Sequence, residues 1–162
     1  KDVFILADPC NNSLTYKVNG LKNSDTESVI TGELARVSGE NVGKYEITRN
    51  TIDAGKNYDV TYISDNLTIT PAELTVTAKA GQSKVYGDAD PALTYEAAGF
   101  KLKDNVSIMT GTLARVPGED VADNYTINQS TIAAGNNYTI KYVSDNFSII
   151  KASLTIFTVI SL

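Results

Sequence analysis

Apolar and polar positions alternate with a period of two along much of the chain. Leu74, Val76 and Ala78 alternate with Thr75 and Thr77, and Tyr138, Ile140 and Tyr142 alternate with Thr139 and Lys141. Tyr125 and Ile127 flank Thr126, and Phe147 and Ile149 flank Ser148. Tyr58, Val60 and Tyr62 repeat the phase earlier in the chain. Side chains on a strand point alternately to its two faces, so this pattern predicts half-buried β-strands. Thr, Val, Ile and Tyr, which suit a pleated surface, dominate the runs. Asp65-Asn66, Gly87-Asp88, Gly118-Glu119 and Gly135-Asn136-Asn137 supply turns between them. The alternation breaks over Leu102–Met109, which predicts a short helix with Asp104 as N-cap and Gly111 beyond its end. Asp25–Ile30, with Ser24 or Asp25 as cap, predicts the same earlier in the chain. The expected class is mostly β (α+β), with five or six strands and one short helix per unit.

The pattern occurs twice. At an offset of 79, residues 14–43 fall on 93–122 with 16 identities in 30 positions, among them Leu34-Ala35-Arg36-Val37 on Leu113-Ala114-Arg115-Val116. At an offset of 80, residues 45–76 fall on 125–156 with 16 identities in 32. A period of about 80 residues exceeds a solenoid unit and suffices for a small core of its own. The chain therefore reads as tandem domains placed end to end: 1–71, 72–152, and the first strand of a following copy at 153–162. The joint Thr68-Ile69-Thr70-Pro71-Ala72-Glu73 has no Gly/Ser-rich linker, and a joint that short restricts swivel. It recurs around Lys151-Ala152-Ser153-Leu154, so the chain, which opens at Lys1 and closes in an apolar run, reads as a piece of a longer protein.

Composition narrows the chemistry. At 42% apolar and 20% charged the 162 residues are those of a folded chain, and no apolar run is long enough to predict a membrane span. A net charge of -5 argues against nucleic acid as a partner. With no His, Ser-His-Asp and Cys-His catalysis and His-ligated metals are excluded. The single Cys10 excludes an intrachain disulfide and thiolate clusters.

One string resembles a known family. Leu74-Thr75-Val76-Thr77-Ala78 is followed by Lys84-Val85-Tyr86-Gly87-Asp88-Ala89-Asp90-Pro91-Ala92-Leu93-Thr94-Tyr95, then Thr110-Gly111-Thr112-Leu113 and Gly118-Glu119. Asn137-Tyr138-Thr139-Ile140 and Asn146-Phe147-Ser148-Ile149 close it. The string is similar to the MBG ("mostly β-grasp") repeats of large bacterial surface proteins and adhesins. The first copy matches from Leu14 onward. Its front end, Phe4-Ile5-Leu6-Ala7-Asp8-Pro9, keeps the Asp-Pro and lacks the Tyr-Gly-Asp. The resemblance implies β-grasp-like domains in tandem, display on a bacterial cell surface or outside the cell, a stalk or spacer role, and no catalytic residues.

Several polar groups have two readings each. Asp88 and Asp90 are candidate Ca²⁺ ligands, because hard cations take several oxygens, with Asp120 and Asp123 as further ligands if the fold brings them near. The other reading is a turn held by Asx hydrogen bonds with Pro91 fixing the backbone. Glu40 and Glu119 are candidate hydrolytic carboxylates or, as loop acids, ordinary solvated groups. Arg36 and Arg115 are placed to pair with Glu40 and Glu119 and fix the intervening loop. The core-facing phase of Tyr45, Tyr58, Tyr62, Tyr125, Tyr138 and Tyr142 predicts packing, with each hydroxyl reaching the rim, over an exposed sugar-binding stripe. A Lys–Asn isopeptide crosslink requires a buried triad that sequence does not locate.

The expected function is a non-catalytic spacer repeat without a cofactor, with Ca²⁺ as the one candidate ion. Its partners are neighbouring repeats, with a host protein or glycan held through other domains. The alternative is an extracellular module that binds a glycan or host protein through its own loops or aromatic residues.

Overall fold

The computed structural model describes residues 14–160. The front end around Phe4–Pro9 and Cys10 lies outside the described residues. The chain divides into two compact units, Lys1–Thr70 and Pro71–Leu162.

The second unit is built from two sheets. Strand β4 (Ala72–Ala78) lies at the centre of a three-stranded sheet, antiparallel to β6 (Tyr95–Ala98) and parallel to β9 (Tyr138–Val143). The other sheet has the order β5-β10-β8-β7, from β5 (Ser83–Val85), β10 (Asn146–Ile150), β8 (Ala122–Asn128) and β7 (Ala114–Arg115). Strand β10 is parallel to β5 and antiparallel to β8. The alternation read from the sequence is the alternation of burial: Leu74, Val76 and Ala78 point inward, as do Ile127, Phe147 and Ile149. These side chains form one core with Leu113, Ile132, Ala134 and Tyr138. Full burial of a Leu, Ile, Val or Phe stabilises by about 1.5–3 kcal/mol, so these positions fix the strand phase.

The first unit is smaller in its described part. Strands β1 (Ala35–Arg36), β2 (Gly43–Thr48) and β3 (Asp65–Ile69) form one antiparallel sheet in that order. They correspond in sequence to β7, β8 and β10. An isolated bridge recurs in both units, Thr31 to Asp53 and Thr110 to Ala133.

Three expectations need correction. The short helices are single 3₁₀ turns, Glu27–Val29 and Val106–Ile108. Left-handed backbone at Leu102, and at Asn23 and Ser24 in the first unit, blocks a longer helical course. The cap of the second turn is Asn105, whose side chain accepts from the Ser107 N–H, while Asp104 accepts from the Tyr138 hydroxyl. In the first turn Thr26 stands at the cap position without a side-chain cap bond, and Asp25 accepts from Tyr58.

The strand count also differs. The second unit has seven strands, because the two- and three-residue strands β7 and β5 are too short to alternate. The first has three among the described residues. Finally, Tyr58–Tyr62 alternates as its counterpart β9 does yet forms no strand. Strand β9 pairs only with β4, and no described strand of the first unit occupies the position of β4.

Candidate functional site

The densest polar site is a ring of four charges on the second unit. Lys84 comes from β5, Asp90 from the turn after it, Arg115 from the end of β7, and Glu119 from the loop between β7 and β8. Arg115 donates from Nε to Asp90 Oδ2 at 2.7 Å and from Nη2 to Asp90 Oδ1 at 2.9 Å. The same Nη2 reaches Glu119 Oε1 at 2.9 Å, and Nη1 donates to the carbonyls of Val116 and Gly118. Lys84 Nζ closes the ring, 2.7 Å from Asp90 Oδ1 and 2.5 Å from Glu119 Oε2. The Lys84 and Arg115 side chains are 4% and 6% exposed.

Because β5 and β7 are the two edges of the four-stranded sheet, the ring straps one edge to the other. On the way the Arg115 guanidinium covers the rings of Tyr125 on β8 and Phe147 on β10, at 5.1 and 5.2 Å. The first unit repeats part of this arrangement. Arg36 pairs with Glu40, donates to the carbonyls of Val37 and Gly39, and lies over Tyr45. Asp8, aligned with Asp90, lies outside the described residues.

The charges hold one another ionised. Hydrogen bonds from Arg115 and then Lys84 lower the Asp90 pKa from 3.8 to about 2. Lys84 and then Arg115 lower that of Glu119. Asp90 and then Glu119 raise that of Lys84. Two cations facing two carboxylates neutralise locally, and neither acid is poised to donate a proton at neutral pH. Both oxygens of Asp90 face cationic donors, while Asp88 is exposed on the turn. Among the described residues no group of three or more acidic or thiol side chains gathers as a metal site would require. Glu40 and Glu119 each sit against their own arginine.

Six tyrosine hydroxyls are also committed internally, while Tyr16 and Tyr86 are exposed. Tyr138 donates to Asp104 and accepts from the Lys101 N–H, and Tyr58 does the same with Asp25 and Lys22. Tyr142 and Tyr62 donate to the carbonyls of Ile127 and Ile47, and Tyr125 and Tyr45 to those of Asp120 and Asn41. Sequence reasoning anticipated the arginine–glutamate pairs from their spacing. It missed Lys84, because a three-residue strand carries no phase that would mark the lysine as inward-facing.

The other site is a cleft of about 490 Å³ in the first unit. Residues 15–21 form one wall and 58–63 the other, with Leu34, Ile47 and Ile52 at its base. Their counterparts Leu113, Ile127 and Ile132 are core residues of the second unit. The walls correspond to β6 and β9, so the cleft is the place that β4 fills in the second unit.

No curated protein and no solved structure matches the chain. A family model for the MBG domain of YGX type does match, over residues 6–68 and again over 74–148, taking in Tyr86-Gly87-Asp88. Two copies of one domain cover most of the sequence, and the chain belongs to the MBG domain family.

Proposed function

We propose that the chain is a non-catalytic spacer segment of a bacterial surface protein, built to transmit tension between neighbouring repeats. One observation carries this reading: the second unit is entered and left through interior strands. Its first strand, β4, lies between β6 and β9, and its last, β10, lies between β5 and β8. A pull on either end along the strand must shear ladders on both sides together. A terminal edge strand, by contrast, peels away one bond at a time. The charge ring adds to this, since it ties both edges of the β10 sheet. Only Thr70 and Pro71 separate β3 from β4, leaving little slack chain. The polar groups of the ring bond one another, which favours a spacer over a binding module.

Single-molecule stretching of the chain between its termini tests the proposal. The expected trace has one abrupt, cooperative release for the second unit, and K84A lowers its force. Gradual extension without a discrete release overturns the tension-bearing reading.

A further inference from the structure

Asp90 is followed by Pro91, so the charge ring sits on a chemically labile peptide bond. In an Asp–Pro pair the side-chain carboxyl can close a five-membered ring onto its own backbone carbonyl carbon. The proline nitrogen, which carries two carbon substituents of its own and no N–H, is basic enough to leave as an amine. One side-chain oxygen of Asp90 attacks the Asp90 carbonyl carbon and forms a cyclic anhydride, with the carboxyl as nucleophile. The C–N bond to Pro91 breaks, and the nitrogen takes a proton from the carboxyl group or from solvent acid. Water then opens the anhydride to two carboxyl groups. One peptide bond is hydrolysed and one water is consumed.

The attack needs an unoccupied oxygen and a side chain that can turn over its own backbone. The folded second unit withholds both. Oδ1 of Asp90 accepts from Arg115 Nη2 at 2.9 Å and lies 2.7 Å from Lys84 Nζ, while Oδ2 accepts from Arg115 Nε at 2.7 Å. These contacts fill most of the acceptor positions of a carboxylate. Lys84 and Arg115 stand on the two edge strands β5 and β7, so the carboxylate turns only when contacts to both edges open. Glu119 holds the same two cations, 2.5 Å from Lys84 and 2.9 Å from Arg115. Asp88, the other acid of the turn, is exposed. The cations also draw charge from the Asp90 oxygens, which weakens them as nucleophiles for the same reason that it lowers their proton affinity.

We propose that Asp90–Pro91 is a self-cleavage site with Asp90 as its nucleophile, and that Lys84, Arg115 and Glu119 keep it silent until acid opens the ring. Protonation of Asp90 and Glu119 removes the charges that hold Lys84 and Arg115, and the released Asp90 side chain then reaches its own carbonyl. Cleavage leaves β4 and β5 on one fragment and β6 to β10 on the other, joined by the β4–β6, β4–β9 and β5–β10 ladders. The nick therefore turns a covalent connection into one held by strand pairing. This chemistry is independent of whether the repeat bears tension.

The test incubates the whole chain at about pH 3, between the folded and ordinary values for Asp90. Circular dichroism follows the fold, and mass measurement after denaturation counts cleavage between Asp90 and Pro91. A parallel incubation in concentrated urea gives the rate for the unguarded bond. There the Asp8–Pro9 bond should be cut as well, a check on the conditions. The folded chain should be cut at least about tenfold more slowly than the chain in urea, and this ratio should shrink as pH falls toward 2. R115Q, folded at the same pH, should be cut at least about tenfold faster than the wild-type chain. K84A should be cut faster by a smaller factor, since Arg115 keeps both of its bonds to Asp90. Adding D90E to K84A should abolish the cut, because the longer side chain closes a larger ring less readily. Equal rates in the folded chain and in urea overturn the proposal, as do folded variants cut no faster than the wild type. If both variants unfold, the wild-type ratio decides alone. A ratio that stays constant with pH while the chain remains folded would reflect a rigid backbone only, and it overturns the role of the ring.

Discussion

The guanidinium of Arg115 meets the carboxylate of Asp90 side-on through two hydrogen bonds, Nε to Oδ2 and Nη2 to Oδ1, while lying over the rings of Tyr125 and Phe147. This contact gives the second unit an acid-sensitive fastening. Asp90 titrates at about 2 in the folded chain, below its ordinary 3.8. A depressed carboxylate pKa stabilises the fold fully above the ordinary value, and the contribution fades as pH falls through the folded one. Hydrogen exchange at the Ile127 amide, bonded to the Asp145 carbonyl, should accelerate relative to its intrinsic rate as pH drops from about 4 toward 2. In D90N that step should be smaller, with the remainder carried by Glu119, whose pKa Lys84 and Arg115 also lower. At neutral pH the variant should lose roughly 1–2 kcal/mol, less than for a fully buried pair because Asp90 is 41% exposed.

Lys84 and Asp90 lie within bonding distance, which raises the question of an amide between them. Condensation requires a neutral amine and a protonated acid. Arg115 holds Asp90 ionised, and the two carboxylates hold Lys84 protonated. The pair should remain a salt bridge. Intact-mass measurement on denatured protein should give the mass of the uncrosslinked chain, and a deficit of one water would contradict this.

Gly111 and Gly135 both have left-handed backbone, φ +81 and +71, and separate two effects of an added methyl. At Gly135 no atom lies within 4 Å of the added carbon. G135A should therefore cost only the conformational preference, about 1 kcal/mol. At Gly111 the added carbon would lie far inside contact distance of the Thr131 carbonyl oxygen. The Thr110–Ala133 bridge would then have to open, so G111A should cost at least about 2 kcal/mol more than G135A. Denaturant melts of the two variants provide the comparison.

Much of this was legible in the sequence where local pattern and tertiary context agree. The phases of β4, β8 and β10 follow from Leu74-Thr75-Val76, Tyr125-Thr126-Ile127 and Phe147-Ser148-Ile149. The Arg36–Glu40 and Arg115–Glu119 pairs follow from a shared spacing. Tyr58–Tyr62 misled because alternation records which face a residue prefers and not whether a neighbour exists to pair with it. Its counterpart β9 is a strand by virtue of β4. The helix expected over Leu102–Met109 is reduced to a 3₁₀ turn for a different reason. Asp104 resembles a cap in sequence, but Tyr138, 34 positions away, engages its carboxylate. Lys84 depends on contacts of the same long range, with Glu119 35 positions on.

The same contrast between the units yields a final prediction. Phe147 and Leu67 are equivalent positions on β10 and β3. Phe147 is enclosed by both sheets of the second unit and by Arg115, whereas Leu67 is half-buried in a unit whose described part has one sheet. Truncating Phe147 to Ala removes a fully buried ring and leaves a cavity, so F147A should destabilise the second unit by about 3–5 kcal/mol. L67A removes fewer buried atoms and should cost the first unit roughly 1–2 kcal/mol. Hydrogen exchange that follows the amides of each unit separately measures both costs within one chain. Equal costs at the two positions would mean that Leu67 is as enclosed as Phe147.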